Sequence, residues 1–385
     1  MKILIANTQE FCPFIGGVER ISCELAEELK SLGNNVSFIA ATKSNYSGEY
    51  HIGFEQVILN DINYNSENNI SKFRSYVESN GIDIVINQAA NVPAFSNLCC
   101  ESISKDTKLI SVLHIQPDYK RNQLKYDLEV GGRLKKIVKF IFYFPRLYRI
   151  NSVNRLLYQS IFDNSNKVVL LSESYKKYFI SSLKKPSDLD KKVVSIPNFI
   201  SDKFPTLKKK RKEILFVGRL DFNHKRPDRV LSVWMAIFNK FPDWTLKIAG
   251  DGPARKTLES LVLSNKISNV HFLGFCDTQK EYETASVLLM TSNYEGLPMT
   301  ILEGMMNGCV PIAYHTFGAL DDLIKHDSSG FLIPPFNEGN YIACLERLIS
   351  DSELLNSMSQ RAISDTRNFA MSKVVSRWEE VLKSD

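Results

Sequence analysis

Apolar residues fall into short uninterrupted runs that alternate with stretches of three- and four-residue periodicity. "KILIAN", at the start, has the pattern of a buried strand, and the loop "TQEFCPFIGG" follows it. Val18, Ile21, Leu25, Leu29 and Leu32 then predict one face of an amphipathic helix, closed by Gly33. "NVSFIA", "IDIVINQ" (82–88), "KLISVLH" (108–114) and "KVVLLS" (167–172) continue as strands, the order of a parallel α/β domain. At 204–213 the pattern lapses into the basic, aperiodic "FPTLKKKRKE", which reads as a linker. It then restarts with "EILFVGRL" (213–220), a helix through "RVLSVWMAIFNKF", and the strands "TLKIAGDG" (245–252), "NVHFLGF" (269–275), "VLLM" (287–290) and "VPIAY" (310–314). The expected architecture is α/β, with two Rossmann-like domains, 1–203 and 204–367, facing a central cleft. The final helical segment, about 368–385, either closes the second domain or packs back on the first.

Within this frame "NYEGLPMTILEGMMNG" (293–308) sets two carboxylates, Glu295 and Glu303, in different local structures. A helix starting near Met299 and capped by Gly308 leaves Glu295 in the preceding loop and Glu303 about one turn inside. Between them lie the free N–H groups of Met299 and Thr300, and such groups bind anions, phosphate above all. A ligand with hydroxyls on both sides of a phosphate suits two flanking carboxylates, and sugar nucleotides have that shape. Read without that ligand, both glutamates are ordinary solvated charges.

The chain has 385 residues, 44% hydrophobic and 24% charged, a soluble globular composition. The start turns polar by Asn7, unlike a signal peptide, and no apolar run is long enough to span a bilayer. Seven scattered cysteines show neither zinc nor disulfide spacing, so reduced thiols and a cytoplasmic setting are expected. The net charge of +5 is unevenly distributed: residues 119–159 carry ten Lys/Arg against Asp127 and Glu129, a net +8, with eight Tyr/Phe among them. Within that segment Pro145 is expected to interrupt any long helix. The pattern fits an interfacial segment against an anionic membrane and, equally, an amphipathic segment packed on the first domain. Nucleic acid is not expected as a partner.

"EGLPMTILE" resembles the signature of family 4 retaining glycosyltransferases, which have the GT-B fold. "GGVER", "FVGRL", "KRPD", "IAGDGP", "VHFLGF" and "SSGFLI" fall in that family's order and spacing, and "IPNFI" resembles the end of its first domain. The resemblance implies an acceptor-binding first domain and a nucleotide-sugar-binding second one. It implies that Glu303 holds the donor's ribose hydroxyls and Glu295 its hexose hydroxyls. Arg219 and Lys225 become the basic pair at the diphosphate, and His114 the histidine near the donor sugar. Gly16 and Gly17 allow close approach of backbone to a phosphate, Phe275 marks the base, and Leu297, Met299 and Thr300 complete the donor loop. Pro298, Phe199 and "HTFGALDDLI" depart from the family pattern, as does Gln116 where an acid is common.

No cofactor or metal is expected, and "DLD" (188–190) is read as a solvated loop. The implied activity is transfer of a hexose or N-acetylhexosamine from a UDP-linked donor, without metal, to a glycan or polyprenyl-linked acceptor in bacterial surface polysaccharide assembly. The setting expected for it is the cytoplasm, peripheral at the inner membrane face. A GT-B-fold sugar-nucleotide epimerase and a non-catalytic sugar-nucleotide-binding protein are the alternatives.

Overall fold

A computed structural model describes the chain apart from residues 60, 130–138, 185–188 and 385. Lys135 and Lys136 of the basic segment and Asp188 of "DLD" therefore lie outside the described residues. The chain divides into two compact units, Met1–Phe199 with Ser372–Asp385, and Ile200–Met371. The change of unit comes a few residues before the expected linker, because Ile200 exchanges backbone bonds with Phe369 (2.9 Å) and Met371 (2.8 Å).

The first unit is built on strands β1 (Lys2–Gln9), β2 (Asn35–Thr42), β3 (Gln56–Ile58), β4 (Ile84–Asn87), β5 (Lys108–Leu113), β6 (Lys167–Leu170) and β7 (Val193–Ser195). They form one parallel sheet in the order β3-β2-β1-β4-β5-β6-β7. Helices α1 (Gly17–Ser31), α2 (Glu67–Asn80), α3 (Pro93–Glu101), α4 (Tyr119–Glu129), α5 (Tyr143–Asn164), α6 (Ser174–Ser181) and α7 (Leu189–Lys192) connect them. Central strands covered on both faces read as continuous apolar runs, as Ile3–Ala6 and Ile84–Ile86 do.

The helical run is interrupted ahead of Pro145: residues 139–141 are helical, residue 142 is a turn, and α5 then starts afresh and runs for 22 residues with the proline in its first turn. There the missing N–H belongs to a group that has no intrahelical partner anyway.

The second unit holds β8 (Glu213–Val217), β9 (Thr245–Ala249), β10 (Val270–Gly274), β11 (Val287–Met290), β12 (Val310–Tyr314) and β13 (Phe331–Ile333). These too are all parallel, in the order β10-β9-β8-β11-β12-β13. Its helices are α8 (Pro227–Ile237), α9 (Arg255–Ser264), α10 (Thr278–Thr284), α11 (Met299–Met306), α12 (Ala319–Leu323), α13 (Glu338–Ser350) and α14 (Ser352–Thr366). The core gathers Trp234, Trp244, Leu246, Ile248, Leu289, Ile312 and Tyr341 around the sheet.

At the carboxyl ends of β8 and β9 the backbones nearly touch. A Cβ on Gly250, whose φ is +130°, would lie 2.0 Å from the Gly218 carbonyl oxygen, so only glycine fits. The last helix, α15 (Met371–Lys383), belongs to the first unit. Arg377 donates to the Ser195 carbonyl and Lys108 to that of Ser384 (2.9 Å), while Val374, Trp378 and Leu382 are buried. No helix among the described residues is long and apolar enough to cross a membrane.

Candidate active site

In each sheet the strand order reverses between the first and fourth strands, and the loops leaving that point open a crevice at the carboxyl ends. In the second unit these strands are β8 and β11, followed by loops 218–226 and 291–298. The loops are tied together. Asp221 Oδ1 accepts the N–H groups of Asn223 (3.0 Å) and His224 (2.6 Å) in a tight turn. Thr291 Oγ1 contacts the carbonyls of Lys225 (3.1 Å) and Arg226 (2.8 Å). The N–H of Asn293 donates to His224 O (2.8 Å) and its side-chain amide to Asn223 O (2.7 Å). Arg229 fixes the far side, donating to Asn293 Oδ1 (2.9 Å) with its guanidinium 3.7 Å from the Phe336 ring centroid.

This network brings Lys225 to Glu295, with Nζ and Oε1 2.7 Å apart. His224 Nε2 lies 3.3 Å from the same oxygen, and the His224 ring stacks on Tyr294 at 4.6 Å between centroids. Glu295 is only 9% exposed. Burial pushes its carboxyl up, but the Lys225 ammonium and the His224 contact outweigh it and hold the group down at about 2. Glu295 is therefore a fixed carboxylate.

Arg219 differs from Lys225. It follows β8 directly, is exposed, and has no carboxylate partner among the described residues. Arg226 is bound locally to Asp228, with Nη2 2.7 Å from Oδ2. Beyond Glu295, Pro298 caps α11 and its carbonyl accepts from Ile301 N–H (3.1 Å). The Thr300 hydroxyl is buried and has no hydrogen-bond partner among the described residues. Leu297 is buried, Met299 and Glu303 are half-buried, and Gly308 ends the turn at φ +84°. Phe275 follows the edge strand β10 and is 89% exposed.

His114, Gly16 and Gly17 belong to the first unit. His114 follows β5 and lines a cavity of about 280 Å³ with Asn7, Thr8, Glu19, Gln88 and Asn91. Its Nε2 lies 2.6 Å from Gln88 Oε1, and burial lowers its pKa to about 4, so the ring is neutral. Gly16 is the N-cap of α1 and Gly17 its first residue. The space over Gly16 is taken by Glu19: a Cβ there would meet Oε2 at 2.3 Å. Glu19 Oε1 accepts from Asn7 Nδ2 at 3.0 Å.

Comparison with known proteins decides what kind of crevice this is. Residues 15–204 match the family described as Glycosyltransferase Family 4, and 198–365 match Glycosyl transferases group 1. The chain belongs to the family 4 glycosyltransferases. It is 26% identical over 373 residues to an uncharacterized glycosyltransferase of Haemophilus influenzae, covering 95% of this chain and 96% of that one.

A Campylobacter jejuni α-1,4-N-acetyl-D-galactosaminyltransferase, named as acting on a diNAcBac-PP-undecaprenol glycan, is 31% identical over 199 residues. That match covers 50% of this chain and 54% of the relative. Among solved structures, S. aureus TarM, crystallised with UDP and α-GlcNAc-glycerol, superposes with a TM-score of 0.77 at 12% identity over the whole of both chains. The fold of this glycosyltransferase is thus GT-B, with two Rossmann-like units.

Sequence reasoning missed several residues of this glycosyltransferase's crevices. His224, Tyr294 and Asn293 flank motif positions, and nothing in their spacing marks them. Glu19 stands inside "GGVER" and was legible as the acid of the first helical turn. Gln88 ends the apolar run "IDIVINQ" and gives no signal until β5 sets His114 beside it.

Proposed function

We propose that this glycosyltransferase moves a hexose or N-acetylhexosamine from a UDP-linked donor to a glycan or polyprenyl-linked acceptor, with retention and without a metal, in bacterial surface polysaccharide assembly. The observation that carries the donor reading is the chemistry gathered at the switch point of the second sheet. An exposed Arg219 without a carboxylate partner and a buried Lys225–Glu295 pair stand beside a helix start whose Thr300 hydroxyl is unpartnered. A diphosphate supplies the acceptors that Arg219, Thr300 and the first N–H groups of α11 call for.

On this reading Lys225 shares its ammonium between Glu295 and the diphosphate, and with Arg219 it stabilises the charge that grows on departing UDP. Glu295, fixed as a carboxylate and therefore acceptor-only, takes hexose hydroxyls, and Glu303 takes those of the ribose. The acceptor attacks on the face from which UDP leaves. His114, held neutral by burial, orients the sugar by hydrogen bonding and carries no charge. The undecaprenol-linked substrate in the name of the C. jejuni relative supports the lipid-linked acceptor. The enzyme's place is then the cytoplasmic side of the membrane.

Calorimetry with UDP alone separates the two glutamates. Glu303→Gln weakens UDP binding, whereas Glu295→Gln spares it and lowers turnover instead. Equal loss of UDP affinity in both variants overturns these roles.

A further inference from the structure

Seven large apolar side chains are exposed between 140 and 156, among them Ile141 (62%), Phe144 (62%), Tyr148 (77%) and Leu156 (71%). All lie on α5 or just before it, and α5 keeps a separate inward stripe, with Asn154, Tyr158 and Ile161 buried. Interleaved with the exposed side chains are Arg146, Arg149 and Arg155, none paired with a carboxylate among the described residues. From Lys139 to Phe162 the sequence contains four cations and no acid.

A pocket of about 140 Å³ opens beside this face between α4, α5 and α6, lined by Arg121, Asn151, Arg155, Tyr178, Ser181 and Ser182. It contains no carboxylate. The Ser181 and Ser182 hydroxyls are turned away, donating to the Tyr178 carbonyl at 2.8 and 3.0 Å. Arg121 lies over the Tyr178 ring at 5.9 Å. The Tyr178 hydroxyl receives a bond from Asn154 Nδ2 (3.4 Å), and its own proton has no acceptor among the described residues. The lining thus offers two guanidinium-bearing side chains and a phenol, with no acid among them.

We infer that this face of α5 docks on an anionic phospholipid bilayer and that the Arg121–Arg155–Tyr178 pocket takes a lipid headgroup phosphate. Aliphatic and aromatic side chains enter the headgroup boundary while the arginines meet lipid phosphates, the arrangement of an interfacial helix rather than a spanning one. A second copy of the chain is the wrong occupant: a two-fold contact sets these arginines against their own copies with no acid to receive them. Nucleic acid does not account for Ile141 and Leu156, which offer no stacking surface. The inference goes beyond the transferase reading, and vesicle binding requires no turnover, so the two fail separately.

The test is co-sedimentation of the full chain with phosphatidylcholine vesicles, with and without 30% phosphatidylglycerol. The wild type is expected to pellet only with the anionic vesicles. Each cation near such a surface is worth about fivefold in partitioning. Arg146→Glu with Arg149→Glu is therefore expected to cost at least about 25-fold. Phe144→Ser with Tyr148→Ser abolishes pelleting without touching the core, since both side chains are exposed. For the pocket, soluble dihexanoyl-phosphatidylglycerol is expected to bind the wild type but not Arg121→Ala with Arg155→Ala.

Equal pelleting with both vesicle types, or pelleting by either α5 variant at the wild-type level, overturns the docking. Binding of inorganic phosphate with no vesicle association makes the pocket a site for soluble anions and also overturns it. So does concentration-dependent self-association without lipid that the Phe144→Ser/Tyr148→Ser pair removes.

Discussion

Replacing Lys225 by Met removes the cation from a carboxylate that the fold has already buried. A carboxyl held at about 2 instead of its ordinary 4.5 represents about 3 kcal/mol of stability at neutral pH. Breaking a buried pair from one side costs about 3–5 kcal/mol, because the remaining charge stays desolvated. The His224 contact remains, so Lys225→Met is expected to lose about 3 kcal/mol, the lower end of that range.

The folded value of Glu295 lies below the unfolded one. Its stabilisation is therefore full above about pH 4.5 and is lost as pH falls through 2. The gap between wild type and variant must accordingly narrow on acidification. Urea unfolding followed by tryptophan fluorescence in a Trp378→Phe background reads the second unit, which contains Trp234 and Trp244, without the first unit's Trp378. Adding Glu295→Gln to Lys225→Met leaves no buried charge and is expected to restore most of the loss. A single-variant loss below about 1 kcal/mol would make the Lys225–Glu295 contact no stronger than a surface ion pair and refute this role for it. That role is refuted equally by a double variant no more stable than the single one.

Other outcomes follow from the same geometry. Arg219→Ala is expected to lower turnover by about 10²-fold, the scale of losing one charge-stabilising donor, with unfolding unchanged because the side chain is exposed and unpaired among the described residues. Thr300→Val removes a buried hydroxyl that lacks a partner, so thermal stability should hold or rise while calorimetry shows weaker UDP binding. His114 has a folded pKa of about 4, below its ordinary 6.5. The stability it confers is full above 6.5 and is lost as pH falls towards 4, and urea titrations at stepped pH should show His114→Gln flattening that slope.

What the sequence made legible follows the physics of each feature. "VLLM" and "VPIAY" coincide with β11 and β12 because continuous apolar runs bounded by polar residues admit one reading. The edge strands β3 and β7 were not read, since each has three residues and no periodicity. Pro145 was legible as an interruption, because a proline is tolerated in a first turn but not in a helix interior, and the turn at residue 142 duly separates the helical residues 139–141 from α5.

At the crevice, motif spacing placed Arg219, Lys225, Glu295 and Glu303 on the right loops and helix. It could not disclose that Lys225 and Glu295, 70 positions apart, form an ion pair. Nor could it disclose that Glu19 fills the space over Gly16, a contact set by the turn into α1. Pairings across strands come from the fold and leave no local trace.

Product analysis is the most direct test of sugar transfer with retention from a UDP-linked donor. The chain, in EDTA, is offered a panel of UDP-sugars with a polyprenyl-diphosphate-linked acceptor, and the products are read by mass spectrometry and proton NMR. UDP release is expected, matched by an acceptor heavier by one hexose or N-acetylhexosamine, its new linkage in the donor's anomeric configuration. An inverted linkage, activity that appears only when a divalent metal is restored, or an isomerised UDP-sugar with the acceptor unchanged contradicts the proposed transfer.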